Sequence, residues 1–223
     1  MSNISPEPAR VILIDKPFGW SSFQAVKKVK YELKSKKIGH AGTLDPLATG
    51  LLIMCTGKMT KSIEEIQAQP KEYTGTFVLG ETTPSFDLET ETDAHYPTEH
   101  ITPDLLQETL KQFIGEIEQT PPLFSAVKID GQRAYEIARK GGSAEIKSKI
   151  ITIYEFELTR IELPQVDFRV KCGKGTYIRS LARDYGIALN SGAYLINLRR
   201  TKIGDYCVED ATHPKSVQDQ IVL

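Results

Sequence analysis

The sequence predicts an α+β fold, in which helices flank a central, mixed and largely antiparallel β-sheet. Apolar and polar residues alternate in two segments, Thr74 to Leu79 and Val166 to Cys172, as they do in half-buried strands. Other segments repeat apolar residues at helical spacing, and the two kinds do not follow a regular strand-helix repeat. The 223 residues suffice for one buried core, and no Pro-, Gly- or Ser-rich linker divides them. We therefore predict one domain over residues 1–223.

The first predicted helix follows a short buried strand from Val11 to Ile14. Ser21 and Gln24 form a capping box, which marks a helix N-terminus. One face of this helix should point inward and leave the lysines on the opposite face, where they could contact phosphate. The predicted inward residues are Phe23, Val26, Val29 and Leu33.

Two further helices are predicted from their ends and their periodicity. Thr102 is a suitable N-cap, Pro103 suits the first helical position, and Gly115 could end that helix in a left-handed conformation. The other helix spans Tyr177 to Asn190. The expected inward residues are Leu106, Leu110 and Phe113 in the first, and Ile178, Leu181, Tyr185 and Leu189 in the second.

A polar, glycine-containing excursion is expected over residues 123–150, after two consecutive prolines. It should contain a short helical piece from Ala134 to Arg139, and we expect it to be the most mobile part of the chain. A strand from Ile151 to Leu163 should follow it. Tyr194, Ile196 and Leu198 alternate as in a last strand.

Charge is unevenly distributed along the chain, although the net charge is only -1. Residues 24–37 hold six lysines and one acid, and residues 171–202 hold seven Lys or Arg and one acid. Residues 81–118 hold ten acids and one lysine. The near-zero total would argue against a nucleic-acid partner, but segregated basic surfaces favour one. Solvated faces remain the alternative explanation, above all for the acidic block.

Several classes of protein are not expected from this composition. The longest apolar runs, Val11 to Ile14 and Leu51 to Met54, are too short to span a bilayer, so we expect no membrane association. Residues 1–10 lack the pattern of a secretory signal, which predicts a cytoplasmic protein. Three widely spaced cysteines argue against a disulfide framework and against a zinc site. Nothing in the sequence demands an oligomer, and we expect a monomer.

The most informative segment runs from Gly39 to Leu52 and reads GHAGTLDPLATGLL. Glycines and a proline interrupt it, so neither a helix nor a strand should persist from Gly39 to Gly50, and we expect an ordered loop. Asp45 is its only acid. A long loop that leads into a buried strand often forms a functional site. Composition alone slightly favours a structural Asp-Pro turn instead.

This segment resembles the signature of the TruB-type tRNA pseudouridine synthases, in which the loop aspartate is catalytic. The resemblance continues upstream in Ile14 to Ser22 (IDKPFGWSS) and downstream in Gly57 to Lys61 (GKMTK). Lys71-Glu72-Tyr73 and Lys174 to Leu181 (KGTYIRSL) match further motifs, and similarity extends nearly to the C-terminus. The resemblance implies the pseudouridine synthase fold, around an RNA-binding cleft.

It also implies an activity, the isomerisation of uridine 55 to pseudouridine in the T-loop of tRNA. Neither a metal nor an organic cofactor is expected. The reaction breaks the bond from ribose C1′ to uracil N1, rotates the base and rejoins it through C5. Asp45 would serve as nucleophile or as general base, a choice that the sequence leaves open. It should be ionised at neutral pH, because an unperturbed aspartate titrates at about 3.9.

The same resemblance implies roles for six further residues. Arg179 would pair with the catalytic aspartate, and Tyr177 is the implied base for the C5 proton. The implied substrate-binding residues are Tyr73, which would stack on the uracil, Leu198, which would form a pocket wall, His40, which would fill the gap in the T-loop, and Lys16, which would support the loop. Arg199 and Arg200, which follow Leu198 in a stretch that resembles the family's, would contact phosphate or acidic side chains. Structural alternatives stay open for all of the six but Lys16, namely a core tyrosine, a surface arginine, a helix-start tyrosine, a core leucine and a turn histidine.

Two departures from the family pattern are visible. Phe124 stands where the family usually has tyrosine, at the start of the segment that resembles an inserted RNA-binding thumb. The chain is also expected to lack the small C-terminal RNA-binding domain of many relatives. Its affinity for tRNA should then come from contacts to the T-arm alone. Two other functions compete with this one. A glycoside hydrolase ordinarily needs two carboxylates, whereas the motifs offer one. A non-catalytic tRNA-binding or folding protein could retain the same pocket.

Overall fold

A computed structural model describes residues 8–129 and 131–220 of the chain. In chain order the strands are β1 (Val11–Lys16), β2 (Ile38–His40), β3 (Ala48–Thr56), β4 (Lys71–Leu79), β5 (Glu81–Thr82), β6 (Ala94–His95), β7 (Gly115–Gln119), β8 (Lys128–Ile129), β9 (Gln132–Arg133), β10 (Lys149–Glu162), β11 (Gln165–Cys172), β12 (Ala193–Ile203) and β13 (Tyr206–Cys207). The α-helices are α1 (Ser22–Glu32), α2 (Ile63–Ala68), α3 (Pro103–Lys111), α4 (Ala134–Ala138) and α5 (Ile178–Ala188).

The chain divides into two compact units, residues 1–73 with 198–223 and residues 74–197. In the first unit β3 pairs antiparallel with β1 and with β2, and parallel with the C-terminal part of β12. In the second unit the strand order is β4-β11-β10-β7, with β10 antiparallel to both β11 and β7. These pairings confirm the predicted mixed and largely antiparallel sheet. The expectation of one catalytic domain stays a prediction.

The core of the first unit lies on both faces of β3. On one face Leu52 and Met54 pack with Ile14 of β1 and with Val29 of α1. On the other face Leu51, Ile53 and Cys55 pack with Ile203 and Val208. Because both faces of β3 are covered, its sequence is apolar at nearly every position instead of alternating.

An aromatic cluster forms the centre of the second unit. The rings of Phe77 in β4 and Phe168 in β11 stack with their centroids 4.1 Å apart. Phe156 of β10 and Tyr185 of α5 meet this pair edge-on or tilted. The Tyr185 hydroxyl donates to the backbone oxygen of Leu106 at 2.8 Å, which joins α5 to α3 and satisfies the buried phenol.

The predicted ends of α1 and α3 are confirmed. Ser21 caps α1 through the expected capping box, and Thr102 caps α3 with Pro103 in the first turn. The inward face of α1 was predicted wrongly in part, because Phe23 is 73% exposed whereas Ala25 and Val29 are buried. Small residues let this helix lie close to the sheet, and the larger Phe23 is left on the outer face.

Three other expectations need correction. The predicted loop from 39 to 50 is shorter, since Gly39 and His40 belong to β2 and Ala48 begins β3. Helix α3 ends at Lys111, and Gly115 has a φ of +100° but begins strand β7, which the sequence did not predict. Strand β12 continues beyond Leu198 to Ile203. Pairing with a neighbouring strand extends these elements beyond what the local sequence indicates.

Candidate active site

Asp45 lies in a short irregular segment, residues 41–47, between two paired strands. The Ala41 amide donates to the Ile53 carbonyl at 2.9 Å, which continues the β2–β3 pairing into the loop. The Ala48 amide donates to the Asp45 carbonyl at 3.1 Å, which closes a turn across Pro46. Asp45 itself is half-buried. The segment therefore places one carboxylate in a turn that is fixed at both ends.

Arg200 of β12 binds the backbone of this loop and is only 1% exposed. Its guanidinium donates to three backbone carbonyls, those of Leu51 at 2.7 Å, Gly42 at 3.1 Å and Thr43 at 3.4 Å. A planar guanidinium with five donors is suited to such a cluster of acceptors. The prediction that Arg200 would contact phosphate or acidic side chains is wrong. Its neighbour Arg199 does pair with a carboxylate.

The parallel register of β12 with β3 explains how Arg200 reaches the loop. Arg200 stands opposite Gly50, and Leu198 stands opposite Ala48. Gly50 has a φ of +100°, and a Cβ added there would lie 2.3 Å from the Arg200 carbonyl oxygen. Only glycine permits both this conformation and this close approach.

Ser22 fixes the loop from the side of α1. The Leu44 amide donates to the Ser22 hydroxyl at 2.9 Å, and that hydroxyl donates to the Leu44 carbonyl at 3.0 Å. Ser22 is buried and is the first residue of α1. The residue before Asp45 is therefore attached to the N-terminal end of this helix.

Lys16 lies fully buried at the end of β1. Its Nζ donates to the carbonyls of Trp20 at 2.6 Å, Pro17 at 3.0 Å and Pro46 at 3.4 Å. Burial lowers the pKa of Lys16 to about 8, an effect that the Asp45 and Asp15 carboxylates oppose and the Arg200 guanidinium reinforces. Lys16 thus joins the turn after Asp45 to the segment that precedes α1.

His40, Tyr73 and Leu198 also belong to the first unit. Burial lowers the pKa of His40, a hydrogen bond to the Gly42 backbone opposes this shift, and the Arg200 guanidinium adds to it, so the environment favours the neutral ring. Tyr73 lies in β4 and is 8% exposed, while Leu198 is half-buried. The Thr49 hydroxyl donates to the Leu198 carbonyl at 3.5 Å.

Tyr177 and Arg179 lie together in the second unit, where the chain enters α5. Tyr177 is the N-cap residue of this helix. The Gln119 side chain accepts from the Tyr177 amide at 2.8 Å and donates to the Tyr177 carbonyl at 3.2 Å. Gln119 is only 2% exposed. This buried amide therefore fixes the backbone of Tyr177 on both sides of its side chain.

Arg179 is buried, so the alternative of a surface charge is wrong. It donates to the carbonyls of Phe124 at 2.9 Å and Ser85 at 3.2 Å. Its Nε lies 3.6 Å from a carboxylate oxygen of Asp87, which is also buried. The guanidinium plane is thus held in one orientation by two backbone segments and one carboxylate.

The structure brings Asp45, His40 and Lys16 together around one loop, and Tyr177 and Arg179 together at one helix start. Sequence reasoning did not single out Ser22, Gln119 or Asp87 as functional. Gln119 carried no motif, and its partner lies 58 residues away in the sequence. Arg200 was noticed but assigned the wrong partners, because backbone carbonyls leave no trace in the side-chain sequence.

Among residues 8–129 and 131–220, no group of three or more His, Cys, Asp or Glu side chains is placed to hold a metal ion. In the same part of the chain, no helix has the length and apolar character needed to cross a membrane.

Curated relatives match nearly the whole chain. A Flavobacterium johnsoniae protein named tRNA pseudouridine synthase B is 66% identical over 209 residues, which are 91% of this chain and 91% of that protein. A Bacteroides fragilis protein of the same name is 54% identical over 217 residues, 95% of this chain and 93% of its own length.

Solved structures show the same fold. A chain of a Cbf5-Nop10-Gar1 complex is 32% identical, with a TM-score of 0.69 over 91% of this chain and 51% of that one. A chain of an H/ACA RNP bound to a substrate RNA containing 2'-deoxyuridine is 29% identical, with a TM-score of 0.67 over 91% of this chain and 50% of that one. This chain spans about half the length of those two chains.

A family model described as TruB family pseudouridylate synthase (N terminal domain) matches residues 30–178. The matched range contains the Asp45 loop, Tyr73, Gln119 and Tyr177, and it ends one residue before Arg179. With this match over more than half of its length, the chain belongs to the TruB family of pseudouridylate synthases.

Proposed function

We propose that this protein converts uridine 55 in the T-loop of tRNA to pseudouridine. The observation that carries the proposal is the Asp45 loop, in which the family motif is fixed by buried donors from Arg200, Ser22 and Lys16. Relatives at 54–66% identity are named tRNA pseudouridine synthase B. The substrate is tRNA, engaged through its T-arm by one copy of the chain, and the place of action is the cytoplasm.

The reaction is an isomerisation, so every atom of the uridine is retained. The bond from ribose C1′ to uracil N1 breaks, the base turns within the pocket, and a bond from C1′ to C5 forms. C5 then loses its proton, and N1 gains one. Since no electrons or groups are exchanged with another molecule, the chemistry requires neither a redox cofactor nor a metal.

Asp45 supplies the carboxylate at the ribose. It acts either as the nucleophile at C1′ or as the base that removes a proton from C2′. Both roles need the carboxylate to be held near the sugar, and a loop with fixed backbone supplies that positioning. Arg179 pairs with Asp45 in the bound complex, keeps it ionised and orients its oxygens. The buried contacts of Arg179 suit this role, because they hold the guanidinium plane fixed before substrate arrives.

The base needs a surface on which it can turn without leaving. Tyr73 supplies a stacking platform, since base-aromatic stacking contributes about 1–3 kcal/mol without fixing a hydrogen-bonding edge. Leu198 supplies an apolar wall, and His40 occupies the space that the flipped uridine leaves in the T-loop. Lys16 is fully buried, so we assign it to support of the loop and not to direct contact with RNA.

Tyr177 removes the C5 proton through its hydroxyl. The clamp by Gln119 fixes the backbone from which this side chain projects. Tyr177→Phe should therefore bind tRNA normally and stall before proton release. A near-normal single-turnover rate in this variant would remove Tyr177 from the role of base.

The decisive experiment uses a tRNA transcript that carries tritium at uridine C5. Rejoining through C5 expels the label into water, so we expect one tritium released per tRNA. The absence of release with uridine intact would contradict the proposal, and free uracil would indicate a hydrolase instead.

The role of Asp45 is tested with Asp45→Asn and a matched control, Asp205→Asn, which changes an exposed aspartate in the same unit. We expect Asp45→Asn to bind tRNA and release no tritium, while Asp205→Asn keeps full activity. If Asp45→Asn were as active as the control, the loop would not be catalytic. If the unchanged protein released no tritium and Asp45→Asn left tRNA binding unaltered, the results would favour a non-catalytic tRNA-binding or folding protein.

A further inference from the structure

The outer face of α1 carries lysines and aromatic rings that the proposed chemistry does not use. Lys27 and Lys30 lie one turn apart on α1, Lys34 lies just beyond its last residue, Glu32, and we call these three residues the lysine stripe. All three are exposed, and the buried residues of the helix, Ser22, Ala25 and Val29, lie on the side opposite Lys27 and Lys30. Such a face is strongly positive and accessible to a partner.

The charges of the lysine stripe are not neutralised within the protein. Among residues 8–129 and 131–220, none of the three lysines has an ion pair or a hydrogen bond from its side chain. By contrast, the adjacent Lys28 pairs with Glu32 and lies 5.7 Å from the centre of the Tyr31 ring. The stripe therefore offers three cations to an external anion.

Large aromatic rings border the stripe. Phe23 and Tyr31 are 73% and 76% exposed, and Trp20 is half-buried beside them. Two shallow grooves run along this face and share Lys27 and Tyr31. One has a volume of about 380 Å³ and the other about 650 Å³. Positive grooves with exposed aromatic rings are typical of surfaces that follow a nucleic-acid strand.

The stripe leads away from the Asp45 loop. Ser22, the first residue of α1, is bonded to Leu44, the residue before Asp45. At about 1.5 Å per residue, α1 extends about 15 Å from this attachment to Glu32. Lys27 and Lys30 are about 4.5 Å apart along the helix axis, which is one to two phosphate steps of about 3.4 Å in a duplex strand, and Lys34 follows the end of the helix with a φ of +49°.

We propose that the lysine stripe of α1 binds the sugar-phosphate backbone of the substrate tRNA outside the T-loop. This inference rests on the proposed function, because that function supplies a polyanion whose chain must continue beyond the Asp45 loop. The rings of Phe23 and Tyr31 flank the bound strand. The surface adds affinity to that of the site around the modified loop.

The test neutralises the stripe with the triple variant Lys27→Gln, Lys30→Gln, Lys34→Gln, because glutamine has a similar helix propensity to lysine. A matched control removes the same charge from three exposed lysines elsewhere, Lys111→Gln, Lys202→Gln and Lys215→Gln. The dissociation constant for whole tRNA is measured at several salt concentrations. Unchanged thermal melting shows that both variants are folded.

For the stripe variant we expect the slope of log affinity against log salt to fall by about 2–3, because each lost phosphate contact removes about 0.7–0.9. Affinity at 0.1 M salt should fall by about tenfold or more. The slope for the control should differ from that of the unchanged protein by no more than the equivalent of one phosphate contact, about 0.7–0.9. Tritium release should be unchanged in the control variant. In the stripe variant it should be reduced at low tRNA concentration and recover as the tRNA concentration is raised, since the stripe does not contact the uridine.

Equal slopes in the two variants would overturn the proposal. It would also be overturned if the stripe variant kept its affinity for tRNA but lost binding to phosphatidylserine vesicles, since the face would then be a membrane surface. Failure of the proposed function is distinguishable, because it appears as absent tritium release in the unchanged protein. Binding slopes report on the stripe independently of that result.

Discussion

Two irregular segments of this protein are held in different ways. Residues 41–47 receive hydrogen bonds from Arg200, Ser22 and Lys16, all buried. In residues 126–129 and 131–148, the regular elements that the structure describes are two-residue strands and the short helix α4, and the side-chain bonds of Arg133 and Arg139 there are exposed. Buried hydrogen bonds cannot be exchanged for water without cost, whereas exposed ones can. The first segment is therefore built to hold one geometry, and the second can change its contacts cheaply.

The largest effect is expected from a methyl group at Gly50. The Gly50→Ala variant should lose about 4 kcal/mol of unfolding free energy, because it adds strain at φ +100° and a clash with the Arg200 backbone. Gly131→Ala is the matched control, since Gly131 also has a positive φ but faces open space. It should lose about 1 kcal/mol. Urea unfolding of both variants checks this, and equal losses would show that the close approach at Gly50 is unimportant.

A second comparison concerns neighbouring arginines. Arg200→Met should lower the unfolding free energy by about 3 kcal/mol, because two carbonyls of the loop and the Leu51 carbonyl of β3 lose their donor. Arg199→Met should cost at most about 1 kcal/mol, since its ion pair with Asp15 is partly exposed. Denaturant titration of the two variants separates these effects. A similar cost for both would contradict the assigned role of Arg200 in holding the loop.

The buried Lys16 should make stability depend on pH. Its pKa is lowered from 10.5 to about 8 in the folded protein, so between these values the unfolded chain binds the extra proton. The contribution of Lys16 to the free energy of unfolding therefore rises with pH, by about 2 kcal/mol between pH 7.5 and pH 10. Lys16→Met should lack this rise, whereas Lys111→Met, at an exposed site, should keep it. Chemical denaturation at the two pH values measures the difference, and parallel pH profiles for all three proteins would disprove it.

The smallest effect is expected in the exposed segment. Arg139 pairs with Glu89 at 2.8 Å, but its side chain is 62% exposed. Arg139→Ala should change the unfolding free energy by at most about 1 kcal/mol, and the change should shrink at high salt. A loss as large as that of Arg200→Met would remove the contrast between the two segments.

Local sequence signals identified several elements correctly. The capping box at Ser21 and the Thr102-Pro103 pair located two helix starts, because capping depends on residues within one turn. Alternation located β11, since its two faces meet different surroundings. The same signals failed for β7 and for the exposed Phe23. A strand that forms by pairing with β10, and a helix that packs through its small residues, depend on distant partners.

The candidate site shows the same division between local and distant information. Asp45, Tyr73, Tyr177 and Arg179 were named from contiguous motifs, whose residue types the chemistry itself requires. The hydrogen bonds that hold them were not predicted. Gln119 is 58 residues from Tyr177, and Arg200 is 158 residues from Gly42, so no local pattern connects them.

The sequence by itself determined the family, the α+β class and the identity of the candidate catalytic residues, because motifs and periodicity act over short distances along the chain. Only the tertiary structure decided that Arg200 donates to loop carbonyls, that Lys16 is a buried cation and that Arg179 is not a surface charge. Backbone acceptors look alike in every sequence. Which of them a buried cation reaches depends on strand register and burial, and these are properties of the folded chain.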